Sequence, residues 1–254
     1  YKLCLSFFVA HCSRLNVADV SSIDSSILQQ YQQRYQQHSA QYQKNLLVAV
    51  NIFLKYCQAE GYINSVPRIR LPKVKNRVKK AFTKNEVARL LKACSRPTHK
   101  LILMLMLDTG IRLNELRTID VKDADLQQGL LHIVSGKTGE RFVPIGVTVR
   151  KELIKYLDGR KDGPLIVSQW GKRYTKNGLV KLFKVLRNRT GINHCSSHTC
   201  RRTFATEMMR QKVSVHVLAK MMGHSDIQTL KQYLDITKDD MLSVQAEFSM
   251  IDNL

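Results

Sequence analysis

Apolar residues recur at helical spacing along roughly the first sixty residues of the chain. They form two clusters, which comprise Leu3, Leu5, Phe7 and Phe8, and then Leu46, Leu47, Val50, Phe53 and Leu54. Between the clusters lies a glutamine-rich stretch from Gln29 to Gln43, in which Tyr31 and Tyr35 are four residues apart. This spacing permits a helix whose tyrosines pack on neighbouring helices. A prion-like segment is the alternative.

A second region with regularly spaced apolar residues, here called the second block, begins near residue 81. Thr83 and Glu86 have the spacing of a capping box, and Phe82 and Val87 have that of a hydrophobic staple. The sequence therefore predicts a helix from Lys84 to about Cys94.

The next apolar run, Leu101 to Asp108, is apolar on all sides and stops before Gly110. Such a run predicts a buried helix that ends at a left-handed glycine.

Two short runs of strand type follow, Leu130 to Val134 and Arg141 to Ile145. They are joined by residues 135–140, where two glycines permit a turn, so Lys137 is expected at the tip of a β-hairpin. Beyond Pro164 the pattern is again mostly helical, over residues 175–189, 198–211, 214–222 and about 239–248. The predicted fold class is mainly α (α+β), with one small antiparallel sheet.

Residues 64–80 separate the two blocks. Pro67 and Pro72 interrupt helices there, and the span carries no acidic residue. Its basic residues are Arg68, Arg70, Lys73, Lys75, Arg77, Lys79 and Lys80. The pattern predicts domains at 1–63 and 81–254, joined by a basic linker. Charge of one sign on a tether favours contact with phosphates, although a linker that is charged only for solubility has the same composition.

The whole chain is strongly basic, with 41 Lys and Arg against 20 Asp and Glu and a formal net charge of +21. Such a protein binds polyanions, so double-stranded DNA is the expected partner, and the glutamine-rich stretch also suits a DNA groove. The longest apolar stretch is far shorter than the roughly 20 residues of a membrane helix, and no membrane association is expected. Six scattered cysteines are typical of reduced thiols, so we expect a cytoplasmic protein. The start at Tyr1 rather than Met suggests further residues upstream.

Candidate catalytic residues are scattered along the second block. Arg112 follows Gly110 at the start of a helix, where its planar guanidinium can bind two oxygens of one phosphate. A surface pair between Arg112 and Glu115 is the simpler alternative. His198 and Arg201 are three residues apart and share a helix face. A buried capping histidine beside a solvated arginine would look the same.

A zinc site is a third possibility for this region, because histidines and cysteines cluster there as His194, Cys195, His198 and Cys200. The paired spacing of a zinc finger is absent, so we expect no metal ion.

Two further candidates lie near the end of the chain. Gly223 is expected to end a helix and place His224 on a turn, nine residues before Tyr233. In one straight helix these two residues would be about 13 Å apart along the axis, so the second helix must begin late or the segment must move. Considered without the other candidates, Tyr233 is more simply interpreted as a tyrosine of a short amphipathic helix that packs against its neighbours.

Together these segments resemble the tyrosine recombinase (phage integrase) family over nearly the whole chain, through TGIRLNEL, GKTGERFVPI, HTCRRTFAT and GHSDIQTLKQYLD. The resemblance implies a helical core-binding domain, a basic linker and a catalytic domain, as in recombinases of the simple two-domain type. It implies that the catalytic residues are Arg112, Lys137, His198, Arg201, His224 and Tyr233. Cys200 and Arg202 stand where the family commonly has leucine and histidine, and Arg202 is expected to affect phosphate affinity.

The resemblance also implies the reaction. Tyr233 attacks a DNA phosphate, forms a 3′-phosphotyrosine and releases a 5′-hydroxyl, with neither a metal ion nor ATP. The implied assembly is a homotetramer on two DNA duplexes. The apolar residues of the tail that follows residue 238 favour its exchange with a neighbouring protomer, and docking of that tail on its own domain is the alternative. Integration, excision, transposition, resolution of transposon cointegrates and dimer resolution are all possible tasks. Type IB topoisomerase-like relaxation of DNA and a non-catalytic DNA-binding regulator are the competing functions.

Overall fold

A computed structural model of the chain describes residues 1–74, 80–134 and 139–223. Lys75, Arg77, Lys79, Lys137, His224 and Tyr233 lie outside the described residues, as do the last predicted helix and the tail. The chain divides into two compact units, Tyr1–Arg77 and Val78–Leu254. This division falls inside the predicted linker of residues 64–80.

The described part of the first unit is helical. Its elements are α1 (Lys2–Arg14), a short 3-10 helix (Val20–Ser22), α2 (Ser25–Arg34) and α3 (Ala40–Ala59). Asp24 begins α2 by accepting hydrogen bonds from the backbone N–H groups of Ser26 and Ile27. Ser39 begins α3 in the same way through the N–H of Tyr42.

The glutamine-rich stretch is therefore not one helix. It is interrupted between Tyr35 and Ser39, because a helix start at Ser39 competes with continuation of α2. The tyrosines pack as predicted: Tyr31 is fully buried, and its ring lies 5.1 Å from that of Phe8 and 5.2 Å from that of Tyr35.

The predicted linker begins as part of the first unit. Ile63 is buried in the core of the helices, and Val66 and Ile69 pack against it. Arg68 and Arg70 alternate with these apolar residues and are exposed. The alternation places the basic side chains of this segment on the solvent side.

The second unit holds seven helices and one sheet among its described residues. The helices are α4 (Lys84–Ala93), α5 (Pro97–Thr109), α6 (Leu113–Thr118), α7 (Val147–Leu157), α8 (Lys176–Thr190), α9 (Ser197–Arg210) and α10 (Val215–Met222), with a 3-10 turn at Val121–Asp123. The strands are β1 (Ala124–Asp125), β2 (Leu130–Ile133) and β3 (Arg141–Pro144).

Local signals in the sequence set several of these bounds. The capping box of Thr83 and Glu86 is present at the start of α4, so that prediction is confirmed. The buried helix ends at Gly110 in the left-handed conformation, also as predicted, but it begins earlier, at Pro97. Helix α7 and strand β1 were not predicted.

The sheet is antiparallel in the order β1-β2-β3. Strands β2 and β3 pair from Leu130↔Pro144 to Ile133↔Arg141, as expected for a hairpin. Helix α5 packs between α7 and α9 in the core of the unit. The predicted fold class, mainly helical with a small antiparallel sheet, is confirmed.

Within the described ranges, none of the helices combines the length and the apolar character needed to cross a lipid bilayer.

Candidate active site

Arg112 stands at the junction of α5 and α6. The left-handed Gly110 turns the chain after α5, and Arg112 is the N-cap residue of α6. Its guanidinium donates hydrogen bonds to Glu115 Oε1 at 2.8 Å and to the carbonyl oxygen of Gly223 at 2.9 Å. The side chain is 31% exposed. The pair with Glu115 does exist, but it is not a surface pair, because the Glu115 side chain is only 4% exposed.

Arg201 lies on the second turn of α9, and it is 5% exposed. Its two terminal nitrogens donate to the carbonyl oxygens of Gly110 and Met222. Both carbonyls are uncharged, so these two hydrogen bonds orient the guanidinium without neutralising it. His198, one turn earlier on α9, is exposed.

Arg112, His198 and Arg201 line one cavity of about 780 Å³. Its opposite wall is one face of α8, which contributes the exposed side chains of Lys176, Lys184 and Arg187. Among the described residues that line the cavity, none is acidic. The structure thus brings together three of the six predicted catalytic residues in a cavity that suits an anion.

The cations of α8 were not predicted as site residues. Their signal in the sequence was the spacing of Lys176 and Lys184, eight residues apart and so about two helical turns, on a helix that was itself expected.

Glu115 and Arg141 form a buried ion pair next to this cavity. Arg141 donates from Nη1 to Glu115 Oε1 at 3.1 Å and from Nη2 to Oε2 at 2.8 Å. Burial alone would raise the pKa of Glu115, but the hydrogen bonds from Arg141 and Arg112 lower it to about 2. Glu115 is therefore ionised at neutral pH and holds two guanidiniums. Arg141 was not predicted as a site residue.

Three arginines hold the carboxyl end of α10. Arg141 Nε donates to the carbonyl oxygen of Met221 at 2.9 Å, while Arg201 and Arg112 donate to those of Met222 and Gly223. The last carbonyls of a helix have no partner within the helix and carry partial negative charge, so guanidiniums are favourable there. Gly223 ends the helix in the left-handed conformation, as predicted, and the next residue in sequence is His224.

The predicted DNA-binding residues that the structure describes are all at least partly exposed. Arg68, Arg70, Lys73 and Lys80 are exposed, and Arg202 is half-buried. Arg68 and Arg70 line a cavity of about 270 Å³ with polar residues of α2. Arg202 donates a hydrogen bond of 3.0 Å to the carbonyl oxygen of Lys80.

The zinc alternative has no geometric support in the described ranges. No group of three or more His, Cys, Asp or Glu side chains there is arranged to hold a metal ion. His194 instead contacts Glu86 and the ring of Phe82, and Cys195 and Cys200 are fully buried.

Comparison with known proteins identifies the family. Residues 80–240 match the model of the phage integrase family. A tyrosine recombinase XerA of Saccharolobus solfataricus is 34% identical over 197 residues, which are 77% of this chain and 63% of that protein. A tyrosine recombinase XerA of Thermococcus kodakarensis is 28% identical over 219 residues, which are 83% of this chain and 77% of that protein.

Solved structures of recombinases share the fold. A Tn1549 transposon integrase in complex with transposon right end DNA superposes with a TM-score of 0.80 at 16% identity, covering 98% of this chain and 93% of that one. A XerH site-specific recombinase bound to a palindromic difH substrate gives a TM-score of 0.74 at 19% identity, covering 98% of this chain and 79% of that one.

The chain therefore belongs to the phage integrase family, and the predicted relationship to tyrosine recombinases is confirmed.

Proposed function

We propose that this chain is a site-specific recombinase that cuts and rejoins DNA strands through a covalent bond between Tyr233 and a DNA 3′-phosphate. The observation that supports this most directly is the cavity shared by Arg112, His198 and Arg201, whose described lining carries no negative charge. A phosphodiester is the anion that this family's reaction acts on.

Arg112 and Arg201 bind the two non-bridging oxygens of the scissile phosphate. Negative charge on these oxygens grows as phosphorus becomes five-coordinate, so fixed guanidiniums stabilise the transition state more than the ground state. The carbonyls of Gly110, Met222 and Gly223 hold both side chains in place before DNA arrives. This fixed placement lowers the reorganisation needed during the reaction.

His198 and Lys137 transfer protons in the proposed reaction, and His224 assists them. A phenol with a pKa near ~10 is a weak nucleophile at neutral pH, and the exposed His198 in the cavity lining assists the loss of its proton. Lys137 donates a proton to the departing 5′-oxygen, and His224 adds a hydrogen-bond donor to the phosphate. The phosphotyrosine keeps the bond energy of the broken phosphodiester, so rejoining requires neither ATP nor a metal ion.

DNA binding involves both units. The basic residues of 64–80 and the face of α8 with Lys176 and Lys184 contact backbone phosphates, which supply most of the sequence-independent affinity. Residues 1–63 act as the core-binding domain. The Tn1549 integrase structure that shares the fold contains transposon right end DNA, and the XerH structure contains a palindromic difH substrate, which supports this partner.

The proposed reaction sets the number of protomers that must assemble on DNA. Exchange of two duplexes requires four cuts, and we infer a homotetramer in which the tail after residue 238 binds a neighbouring protomer. A cytoplasmic location suits a DNA substrate.

A covalent adduct tests the proposed function. A pool of nicked suicide duplexes with randomised arms is incubated with the full chain, and adducts are detected by denaturing electrophoresis. The unchanged chain is expected to form an adduct and Tyr233→Phe to form none while still binding the duplex. Binding without any adduct from the unchanged chain would point to a regulator, and relaxation of a plasmid without paired sites would point to a topoisomerase.

A further inference from the structure

Arg141 is a buried arginine that donates three hydrogen bonds to groups of the second unit among the described residues. It is the first residue of β3, 8% exposed, and it follows the hairpin segment that contains Lys137. Both terminal nitrogens bind the two carboxylate oxygens of Glu115, and Nε binds the carbonyl of Met221. All three nitrogens of the guanidinium are thus directed at protein groups rather than at the cavity.

Glu115 in turn fixes Arg112 at two points. Its carboxylate accepts a hydrogen bond from the Arg112 backbone N–H at 2.8 Å and one from Arg112 Nη1 at 2.8 Å. A buried carboxylate with one guanidinium partner is far less favourable than one with two, because removal of a partner leaves desolvation uncompensated. The orientation of Arg112 therefore depends on a residue that does not line the cavity.

The contact with Met221 extends this dependence to α10. Arg141 holds the carbonyl two residues before the one that Arg112 holds, at the helix end that precedes His224. One side chain thus connects the strand after the Lys137 segment, the carboxylate that holds Arg112 and the end of α10.

We propose that Arg141 is a positioning residue for DNA cleavage, which acts through Glu115 on the placement of Arg112 and through Met221 on the end of α10. The proposal depends on the proposed function, since the reaction it serves is the attack of Tyr233 on DNA.

The test measures adduct formation in single-turnover experiments at saturating suicide duplex, with the dissociation constant of the same duplex measured separately. The variants are Arg141→Met, Arg141→Lys, Glu115→Gln and the double variant of Arg141→Met with Glu115→Gln. Arg173→Met is the matched control, because Arg173 also pairs with a carboxylate, that of Asp120, and with the carbonyl of Arg117 at 2.7 Å, but lies outside the cavity lining.

Arg141→Met is expected to slow cleavage by about 10- to 100-fold while the dissociation constant changes by less than about threefold. Arg141→Lys, which keeps the charge but loses the planar fork, is expected to recover part of the rate. When Glu115→Gln is already present, Arg141→Met is expected to reduce the cleavage rate by a much smaller factor than it does in the unchanged protein. The reason is that Arg141 acts on Arg112 through Glu115.

The pH profile adds a readout that a purely structural role would not move. Among the residues that the structure describes, the charged groups that contact Glu115 are Arg112 and Arg141. Removing Arg141 raises the pKa of this buried carboxyl, so Arg141→Met is expected to lose rate relative to the unchanged chain as pH falls from about 8 to about 5.5. Glu115→Gln has no such group and is expected to show a constant ratio. The ionisable groups at all other positions are the same in every variant.

Three results would overturn the proposal: cleavage by Arg141→Met equal to that of Arg173→Met, the same fold loss with and without Glu115, or a loss confined to the dissociation constant. If Arg141→Met does not fold, as judged by its thermal transition, Arg141→Lys at unchanged rate decides against the proposal. Failure of the proposed function is separate, because it would show as no adduct from the unchanged chain.

Discussion

The two walls of the cavity carry charge of the same sign in different ways. Arg201 is 5% exposed, and Arg112 is held by Glu115 and by a backbone carbonyl. The lysines of the α8 wall, Lys176 and Lys184, are exposed. Exposed ammonium groups are strongly hydrated and rotate freely, whereas held guanidiniums keep one geometry.

This difference separates two tasks. A fixed charge is useful where charge develops in a transition state, since it need not reorganise. An exposed charge contributes to affinity through the release of counterions and is reduced by salt. We therefore expect substitutions in the wall formed by Arg112 and Arg201, here called the fixed wall, to change the rate of cleavage, and substitutions in the α8 wall to change mainly the binding of DNA.

The largest effect is expected from Arg201→Ala. Loss of one fixed donor to the phosphate is expected to slow single-turnover adduct formation by about 100- to 1,000-fold, with a much smaller change in the dissociation constant for DNA. The matched control is Arg210→Ala on the same helix, whose side chain is 64% exposed and pairs with Glu207. An equal loss in both variants would remove the distinction between the walls.

An intermediate effect is expected from Gly110→Ala, which changes the support behind the fixed wall. Gly110 has φ +61°, and an added Cβ would lie 2.3 Å from the ring of Phe204. Strain of the left-handed backbone and the clash together are expected to lower the free energy of unfolding by about 2–4 kcal/mol, measured by denaturant titration.

The control for this prediction separates strain from contact. Gly191 also ends a helix in the left-handed conformation, at φ +70°, but nothing lies within 4 Å of its added Cβ. Gly191→Ala is expected to lower the free energy of unfolding only by the backbone strain, about 1–2 kcal/mol. Equal costs at the two glycines would show that the contact with Phe204 adds nothing.

The smallest effect is expected from the α8 wall. The double variant of Lys176→Ala and Lys184→Ala is expected to reduce the slope of log affinity against log salt by about 1 for each phosphate that is no longer bound. The rate at saturating DNA is expected to change by less than the affinity. Lys151→Ala with Lys155→Ala on α7 removes the same charge from exposed positions outside the cavity lining. If both pairs give the same slope, the effect is one of net charge.

Much of the fold was predictable because its signals are local. The capping box of Thr83, the glycine that ends α5 and the hairpin strands each depend on a few neighbouring residues. Helix α7 was missed because its apolar positions, such as Val149 and Leu153, are interleaved with charged residues and it begins without a side-chain cap. The break of the glutamine-rich stretch before Ser39 depended on a competition between continuation of α2 and a new helix start at Ser39, which residue spacing alone does not decide.

The candidate site was predictable in part for a different reason. Arg112, His198 and Arg201 were found through motifs, and the structure places them around one cavity. The role of Lys137, His224 and Tyr233 stays a prediction, since they lie outside the described residues. Arg141 was missed because a charged residue in a strand gives no local sign of burial, and its partner Glu115 is 26 positions away in sequence.

One pair of contacts at the start of the second unit has a mechanical consequence. Arg202 binds the carbonyl of Lys80, and the hydroxyl of Thr203 accepts a hydrogen bond of 2.8 Å from the N–H of Phe82. The chain that enters this unit is thus tied to the same turn of α9 that carries Arg201. A pull on the backbone at Lys80 would therefore be transmitted to that turn, and through it to an arginine that lines the cavity.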